Sequence, residues 1–237
     1  MIKHTVRLIV ASALLCNVAF AQSVDDGKKF YYYEKYVSAK DALEKAVAAK
    51  PDDVEAVYWL GQTLIEMRDT AGAKAVFQKA LQAKGSDPLL LVGIGQVELM
   101  EKKTNEARQR FETAISLTKG KDIGILNAVG HANAATAEGD AKYAIEKLTL
   151  ATQVKRFKEA DVYINLGDAQ RRLMDGGAAV TAYQNAFGLD PKLAEVKYKV
   201  GKIYVTQGSD QANIFLKNFE EAVTIDPAYA PAYYDMY

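Results

Sequence analysis

The chain has 237 residues, of which 49% are hydrophobic and 25% charged, and its 30 basic residues balance 30 acidic ones. This neutrality excludes attraction to nucleic acid or to anionic lipid by bulk charge. Cys16 and His4 lie within the first 21 residues, and the rest of the chain has one histidine and no cysteine, which excludes a disulfide framework, a Cys/His zinc site and a Cys/His catalytic pair there.

The first residues have the pattern of a secretory signal peptide. Lys3 and Arg7 form a basic start, residues 8–20 form an apolar run of 13, and small residues precede the expected cleavage point after Ala21. The alternative is a membrane anchor, but a spanning helix needs about 20 apolar residues. We therefore predict that residues 1–21 are removed on export. The remainder carries 28 basic and 30 acidic residues, a net charge of −2, and no cysteine.

A spacing of thirty-four residues recurs through the rest of the chain. Glycine, alanine and a large apolar residue each return at this interval: Gly27, Gly61 and Gly95; Ala39, Ala73, Ala107 and Ala141; Leu43, Phe77, Phe111 and Ile145. A fixed period of this length is typical of stacked helical repeats, in which neighbouring units bury each other's apolar faces. The sequence therefore predicts an all-α repeat array over residues 22–237.

The pattern divides this array, in chain order, into six units and the start of a seventh. Their approximate bounds are 22–53, 54–87, 88–121, 122–158, 159–193, 194–229 and 230–237. Turn residues and prolines stand between the expected helices and between the units. The segment 154–158 lengthens the junction between the fourth and fifth units, and the sixth needs two extra residues before its second helix. The first and last units match least well, as terminal repeats usually do.

The clearest units share a set of residues at fixed offsets. The second has Leu60-Gly61, then Ala73, Phe77 and Ala80, and the fifth has Tyr163, Leu166-Gly167, Ala179, Tyr183, Ala186 and Pro191. These offsets resemble those of the tetratricopeptide repeat. The resemblance implies two helices per unit, here called helix A and helix B, and a right-handed superhelical solenoid. We expect Gly61 and Ala73 to let the helices approach closely, and Phe77 to fill the space between units.

Residues 230–237 match the opening of a seventh unit that stops within its first helix. A solenoid normally ends in a polar capping helix. We therefore expect the sequence to be the amino-terminal part of a longer protein.

Few residues support catalysis. Outside the signal segment the only histidine is His131, and neither an acid nor a second histidine stands near it at a metal-binding or triad spacing. Acid pairs such as Asp52-Asp53 lie at helix starts, where they cap free N–H groups. We predict no enzyme activity, no metal and no cofactor. His131 is either a groove contact or a helix residue without a special role.

The resemblance also implies a concave groove lined by the A helices. The matching positions are polar or aromatic: Tyr58, Gln62, Val92, Gln96, Asn127, His131, Asp168, Arg171, Arg172, Tyr198 and Lys202. Such a lining could hold an extended peptide, with Arg171 or Arg172 meeting a carboxylate. A solvated helix face would look similar, so both interpretations stay open.

One subtype of the family clamps a terminal carboxylate with Lys and Asn one turn apart in successive units. The matching positions here do not repeat that pair: Tyr58/Gln62, Val92/Gln96, Asn127/His131 and Ile164/Asp168. Binding of chaperone tails is therefore not expected.

The leading hypothesis is a noncovalent scaffold in the bacterial periplasm or cell envelope that binds a protein or peptide in the groove. One alternative is a glycan-handling or outer-membrane assembly component. Another is the recognition arm of an enzyme whose catalytic domain follows residue 237. Trp59 and the tyrosines 31, 32, 33 and 36 are better explained by packing than by sugar stacking, because helical spacing places part of them in the core.

Overall fold

The computed structural model describes residues 24–206, 208 and 211–236. Regular structure within these ranges is helical throughout, which confirms the predicted fold class. The predicted signal peptide lies outside the described residues. The helices are α1 (24–32), α2 (Tyr36–Ala49), α3 (Val54–Glu66), α4 (Thr70–Lys84), α5 (Pro88–Met100), α6 (Thr104–Leu117), α7 (Ile123–Ala135), α8 (Ala141–Thr152), α9 (Ala160–Arg172), α10 (Gly176–Leu189), α11 (Ala194–Val205), α12 (Ala212–Ile225) and α13 (Ala230–Tyr234).

Successive helices form the A and B members of six repeats, from α1/α2 to α11/α12, and α13 opens a seventh. The chain falls into two compact units that divide between Val97 and Glu98, inside α5. We call them unit 1 and unit 2. The right-handed winding of the complete array stays a prediction.

Aspartates start many of the helices. The side chain of Asp53 accepts a hydrogen bond from the backbone of Ala56 at the start of α3, and Asp122 does the same for Ile125 at the start of α7. Such caps satisfy N–H groups that have no partner within the helix. The capping role predicted for Asp53 is therefore confirmed.

Packing in unit 1 is set by Phe77, which is completely buried. A Cβ atom on Gly61 would lie 2.0 Å from its Cζ, and one on Gly93 would lie 2.6 Å from its ring. Gly61 belongs to the same repeat and Gly93 to the following one. The expectation that Phe77 fills the space between adjacent repeats is confirmed.

The fourth repeat of the chain (α7 and α8), which lies in unit 2, departs from the regular spacing. The connection between α7 and α8 runs over 136–140, whereas α9 and α10 are joined by 173–175 alone. Because the longer turn shifts the second helix along the sequence, Leu148 rather than Ile145 lies against the repeat glycine, Gly130. Leu148 is fully buried between Ala144 and Ala151 in a core cluster. The sequence-based equivalence of Ala141 and Ile145 to Ala73 and Phe77 is therefore wrong.

The two other predicted irregularities are present. Residues 153–159 connect α8 to α9 as a loop, and α12 begins late enough for Phe219 to pack on Gly201. Phe215, which replaces the usual small residue, contacts Phe219 with ring centroids 6.1 Å apart.

The turn between helix A and helix B contains a residue with positive φ in five repeats. It always stands seven positions after the repeat glycine: Glu34, Arg68, Lys102, Met174 and Gly208. Positive φ is uncommon for residues other than glycine, asparagine and aspartate. The sharp turn therefore imposes the same conformation whatever side chain it carries.

Candidate functional site

Three of the predicted groove residues lie in the interior of unit 1. Gln62 and Gln96 are 2% and 1% exposed, and Tyr58 is also buried, with its ring beside Phe77. Gln62 Nε2 donates a hydrogen bond to Gln96 Oε1 over 2.8 Å. Burial raises the pKa of the Tyr58 hydroxyl well above its usual range. The prediction that Tyr58, Gln62 and Gln96 line an accessible groove is therefore wrong. Val92 is likewise buried.

Trp59 has the packing role that its sequence context favoured. It is half-buried, and its ring meets the edge of Tyr31 at 5.2 Å and of Tyr58 at 6.1 Å between centroids. Tyr31 in turn hydrogen-bonds Glu66. Trp59 therefore joins α1 to α3 through aromatic packing.

In unit 2, residues that follow a repeat glycine are bonded to the next repeat. His131 Nδ1 lies 3.2 Å from Asn165 Oδ1, Asp168 Oδ2 lies 2.8 Å from Lys199 Nζ, and Lys202 Nζ lies 2.8 Å from Asp235 Oδ2. We call these three contacts the polar ladder. In the polar ladder, the predicted groove residues His131, Asp168 and Lys202 bond to the neighbouring repeat. These side chains are therefore not free to bind a ligand.

Two further predicted residues support the ladder. Asn127 accepts a hydrogen bond from Asn165 Nδ2 at 2.8 Å, and Tyr198 donates one to Asp235 at 2.7 Å. Burial opposes ionisation of Asp235, but the hydrogen bonds from Lys202 and Tyr198 outweigh it and hold the pKa of Asp235 below its usual value.

The middle contact of the ladder is the most strongly charged. Lys199 bonds both oxygens of Asp168 and lies 3.3 Å from Glu195, while Tyr183 donates to Asp168 over 2.8 Å. Burial opposes the charge of Lys199, but Asp168 and Glu195 outweigh it and raise the pKa of the ammonium group. Burial raises the pKa of Glu195 against the charge of Lys199. The Lys199 charge is thus fully compensated within the protein.

Arg172 is bound to the long turn that precedes α8. Its guanidinium donates to five backbone carbonyl oxygens at 2.6 to 3.2 Å: those of Asn133, Ala134, Thr136, Ala137 and Gly139. These carbonyls include groups at the carboxyl end of α7, where a cation is favoured. Arg172 therefore holds the turn and is not free to meet a ligand carboxylate, contrary to one of the two options that the sequence left open.

Arg171 differs from its neighbour. Its side chain is exposed, and no carboxylate in residues 24–206, 208 and 211–236 lies within ion-pair distance of it. Its charge acts on the hydroxyl of Tyr183, whose pKa is raised chiefly by burial and by Asp168, with Arg171 opposing. Among the predicted groove cations in the described part of unit 2, Lys202 is paired with Asp235 and Arg172 with backbone carbonyls, whereas Arg171 has only the Tyr183 hydroxyl as a hydrogen-bond partner.

A cleft of about 460 Å³ lies beside Arg171. It is bounded by α7, α9 and α11, and its lining consists of His131, Ala134, Ala135, Thr136, Ala137, Asp168, Arg171, Arg172 and Lys199. The cleft has room because α7 ends in small side chains. The structure thus brings together four predicted residues, His131, Asp168, Arg171 and Arg172, whereas Asn127, Tyr198 and Lys202 do not line the cleft.

Sequence reasoning missed Lys199 and Asn165, the partners of Asp168 and His131. Each stands two residues before a repeat glycine, Gly201 and Gly167. A side chain two residues before one repeat glycine contacts the residue just after the glycine of the preceding repeat, as Asn165 contacts His131 and Lys199 contacts Asp168. That regularity was present in the spacing and could have identified both partners.

No cluster of His, Cys, Asp and Glu in the described part of the chain has the composition of a metal site. In the same ranges, no helix is long and apolar enough to cross a membrane.

Residues 32–91 match the family model described as tetratricopeptide repeat. Residues 32–91 are therefore identified as tetratricopeptide repeats. The matched residues lie in unit 1 and include the second repeat, in which the sequence pattern is clearest. No curated protein matches the sequence.

Solved structures share the fold of this chain at low sequence identity. A thermophilic TPR protein of Thermus thermophilus has a TM-score of 0.53 and 17% identity, with 92% of this chain and 96% of that one aligned. Pseudomonas aeruginosa pilF has a TM-score of 0.50 and 17% identity over 76% of each chain.

A third structure is the APC/C hetero-tetramer Cut9–Hcn1, which has a TM-score of 0.54 and 16% identity. It aligns with 92% of this chain, and this chain spans 42% of that longer one. At these identities the three likenesses establish the helical repeat fold.

Proposed function

We propose that this protein is a noncovalent scaffold that binds a protein or peptide partner in the cleft of unit 2. Tetratricopeptide repeats are protein-interaction modules, and the Cut9–Hcn1 structure is itself a hetero-tetramer. The observation that carries the proposal is Arg171, an exposed cation without a carboxylate partner in the described ranges, in the lining of a cleft where Lys199 is paired with Asp168 and Arg172 with backbone carbonyls. Exposed polar groups placed on a rigid helical frame are typical of binding sites.

The cleft offers binding groups but no reacting pair. His131 is bonded to Asn165, Asp168 to Lys199 and Tyr183, and Arg172 to backbone carbonyls. None of these contacts gives a nucleophile held by a base. The proposed work is therefore recognition without catalysis.

The binding test compares partners captured by the mature chain and by two arginine variants. Arg171→Ala should lose the specific partner, whereas Arg156→Ala should retain it, because Arg156 lies on the exposed loop between α8 and α9 and outside the cleft lining. Both variants should keep the helical circular dichroism of the parent protein. An identical partner set for all three proteins would count against the cleft as the binding site.

We also propose that the scaffold works in the periplasm or cell envelope of a bacterium. The support is the amino-terminal pattern, with Lys3 and Arg7 before a short apolar run and a small-residue cleavage point. Expression in a bacterial host followed by fractionation and intact-mass measurement tests this. We expect a periplasmic protein that begins at Gln22, and recovery of an uncleaved chain from the cytoplasm would contradict the proposal.

Sugar stacking, considered from the sequence as an alternative, receives no support from the aromatic residues of unit 1. The Trp59 ring is packed against Tyr31 and Tyr58, with the ammonium group of Lys28 5.7 Å from its centroid. A sugar-binding platform requires an open aromatic face. The binding proposal therefore concerns a protein or peptide.

A further inference from the structure

We propose that the cleft of unit 2 recognises an acidic side chain of an extended peptide segment through Arg171, with an apolar ligand side chain beside it on Leu173 and Met174. This inference rests on the proposed peptide-binding function and names the chemistry of the ligand. Three independent observations support it: the charge balance of the cleft, the position of α9 in its lining, and the exposure of Met174.

The charge balance selects a ligand group with a single negative charge. Lys199 is compensated by Asp168 and Glu195, and the donors of Arg172 are directed at five carbonyl oxygens. Arg171 is hydrogen-bonded to the Tyr183 hydroxyl but has no carboxylate partner among the described residues, so its charge is available to a ligand. A guanidinium pairs well with one carboxylate, which it can bind through two parallel hydrogen bonds. A phosphate dianion would require a second cation with free hydrogen-bond donors, and the donors of Arg172 are already directed at carbonyl oxygens.

The space beside Arg171 is suited to an extended chain. Ala134, Ala135 and Ala137 form the wall contributed by α7 and the turn after it, and their small side chains leave the cleft open. Arg171 lies on α9, the middle of the three helices in chain order whose residues line the cleft, with α7 before it and α11 after it. A segment bound at this central position can continue in both directions. This favours an internal Asp or Glu over the carboxylate at the end of a chain.

Met174 is the anomaly among the turn residues with positive φ. Equivalent positions in other repeats carry Glu34, Arg68, Lys102 and Gly208, whereas this repeat has a methionine that is 89% exposed. Leu173 beside it is 43% exposed. The amide of Met174 donates to the carbonyl of Arg171 over 2.9 Å, so both residues belong to the same backbone turn at the end of α9. Methionine is common on adaptable binding surfaces, and exposed apolar groups next to a charge suit a mixed ligand.

The test uses three pools of short fluorescent peptides with otherwise random sequence. The first has a central Glu and an amidated end, the second a central Gln and a free terminal carboxylate, and the third a central Gln and an amidated end. Fluorescence anisotropy with the mature protein measures their affinities. We expect the first pool to bind about tenfold or more tightly than the third, the gain expected from a charge-assisted bidentate pair.

Arg171→Gln should reduce the affinity of the first pool to that of the third, and Arg156→Gln should leave all affinities unchanged. Equal binding of the first and third pools by the parent protein would overturn the carboxylate inference while leaving peptide binding intact. Preference for the second pool alone would overturn the assignment to an internal side chain. Absence of binding by every pool would overturn both this inference and the proposed function.

Met174→Gly separates the apolar contact from a structural role. Glycine accepts positive φ without strain, as Gly208 does in the next repeat, so the thermal midpoint should not fall. The affinity of the central-Glu pool should fall several-fold because the apolar contact is lost. Unchanged affinity in Met174→Gly would overturn the role given to Met174.

Discussion

Gly61 and Phe77 are so close that a single added carbon on the glycine would lie 2.0 Å from the phenylalanine Cζ. The glycine is on helix A and the ring on helix B of one repeat. Gly167 has the same relationship to Tyr183, with a closest approach of 2.4 Å. The repeat glycine is therefore required by side-chain volume, because the bulky residue of helix B fills the place of its Cβ atom.

Gly61→Ala should destabilise the protein by about 1–3 kcal/mol, the usual cost of overpacking a close-packed core. Chemical unfolding followed by circular dichroism measures the change. The matched control is Gly188→Ala in α10, where no heavy atom lies within 4 Å of an added Cβ. That variant should gain about 0.5–1 kcal/mol, because alanine is the better helix former. Equal stability of the two variants would contradict this account.

The buried amide pair of unit 1 should behave as a unit. Gln62→Leu removes the donor to Gln96 Oε1 and should cost about 1–3 kcal/mol, because a buried acceptor loses its partner. Replacing both glutamines by leucine should recover most of that loss, because no buried polar group is then left without a hydrogen bond. The double replacement also removes Gln62 Oε1, which already lacks a hydrogen bond among the described residues. A double-mutant cycle measures the coupling. Additive losses would show that the pair is not coupled.

Arg172 should control the stability of the turn between α7 and α8. Arg172→Ala leaves five carbonyl oxygens without their shared donor and should cost about 1–3 kcal/mol. Amide hydrogen exchange should accelerate in residues 136–140. Arg172→Lys should restore only part of the loss, because an ammonium group has three donors and lacks the planar fork of arginine. Arg156→Ala should leave exchange in this turn unchanged, and slow exchange in Arg172→Ala would contradict the role.

The sequence predicted the helical fold because its strongest signal, the spacing of Gly61, Ala73 and Phe77, reports a packing relationship directly. The same signal failed in the fourth repeat. Ala141 and Ile145 keep the thirty-four-residue interval, but one extra residue before Gly130 and two in the turn after α7 bring Ala144 and Leu148 into those places. The spacing of similar residues does not show at which point of a repeat extra residues are inserted.

The candidate site was predictable in part. His131 and Asp168 share a helix A position and Arg171 lies about one turn after Asp168, so all three were placed on one face, and the structure brings them to one cleft. Gln62 and Gln96 occupy equivalent positions to Asp168 but are buried. Whether these side chains are buried depends on how the neighbouring helices pack against them. The residue pattern of one helix does not give that information.

Asp140 should give unit 2 an acid-sensitive stability. Its Oδ1 accepts hydrogen bonds from the backbone of Lys142 and Tyr143, and its Oδ2 lies 2.8 Å from Arg108. Burial opposes its ionisation, but these hydrogen bonds and the arginine charge outweigh it and hold the pKa of Asp140 below its ordinary value of 3.8. A lowered pKa in the folded state means that the stabilisation is present above 3.8 and is lost as the pH falls through the folded-state value.

Asp140→Asn isolates the charge, because asparagine still caps a helix. Since the Asp140 side chain is half-exposed, the loss at neutral pH should be about 0.2–1 kcal/mol, the size measured for solvent-exposed ion pairs. Unfolding at a series of pH values should show the gap from the parent protein closing in acid. Asp122→Asn, at a cap with no ion-pair partner in the described part of the chain, should cost less at neutral pH. A gap for Asp140→Asn that persists unchanged in acid would show that the Arg108 contact does not contribute through charge.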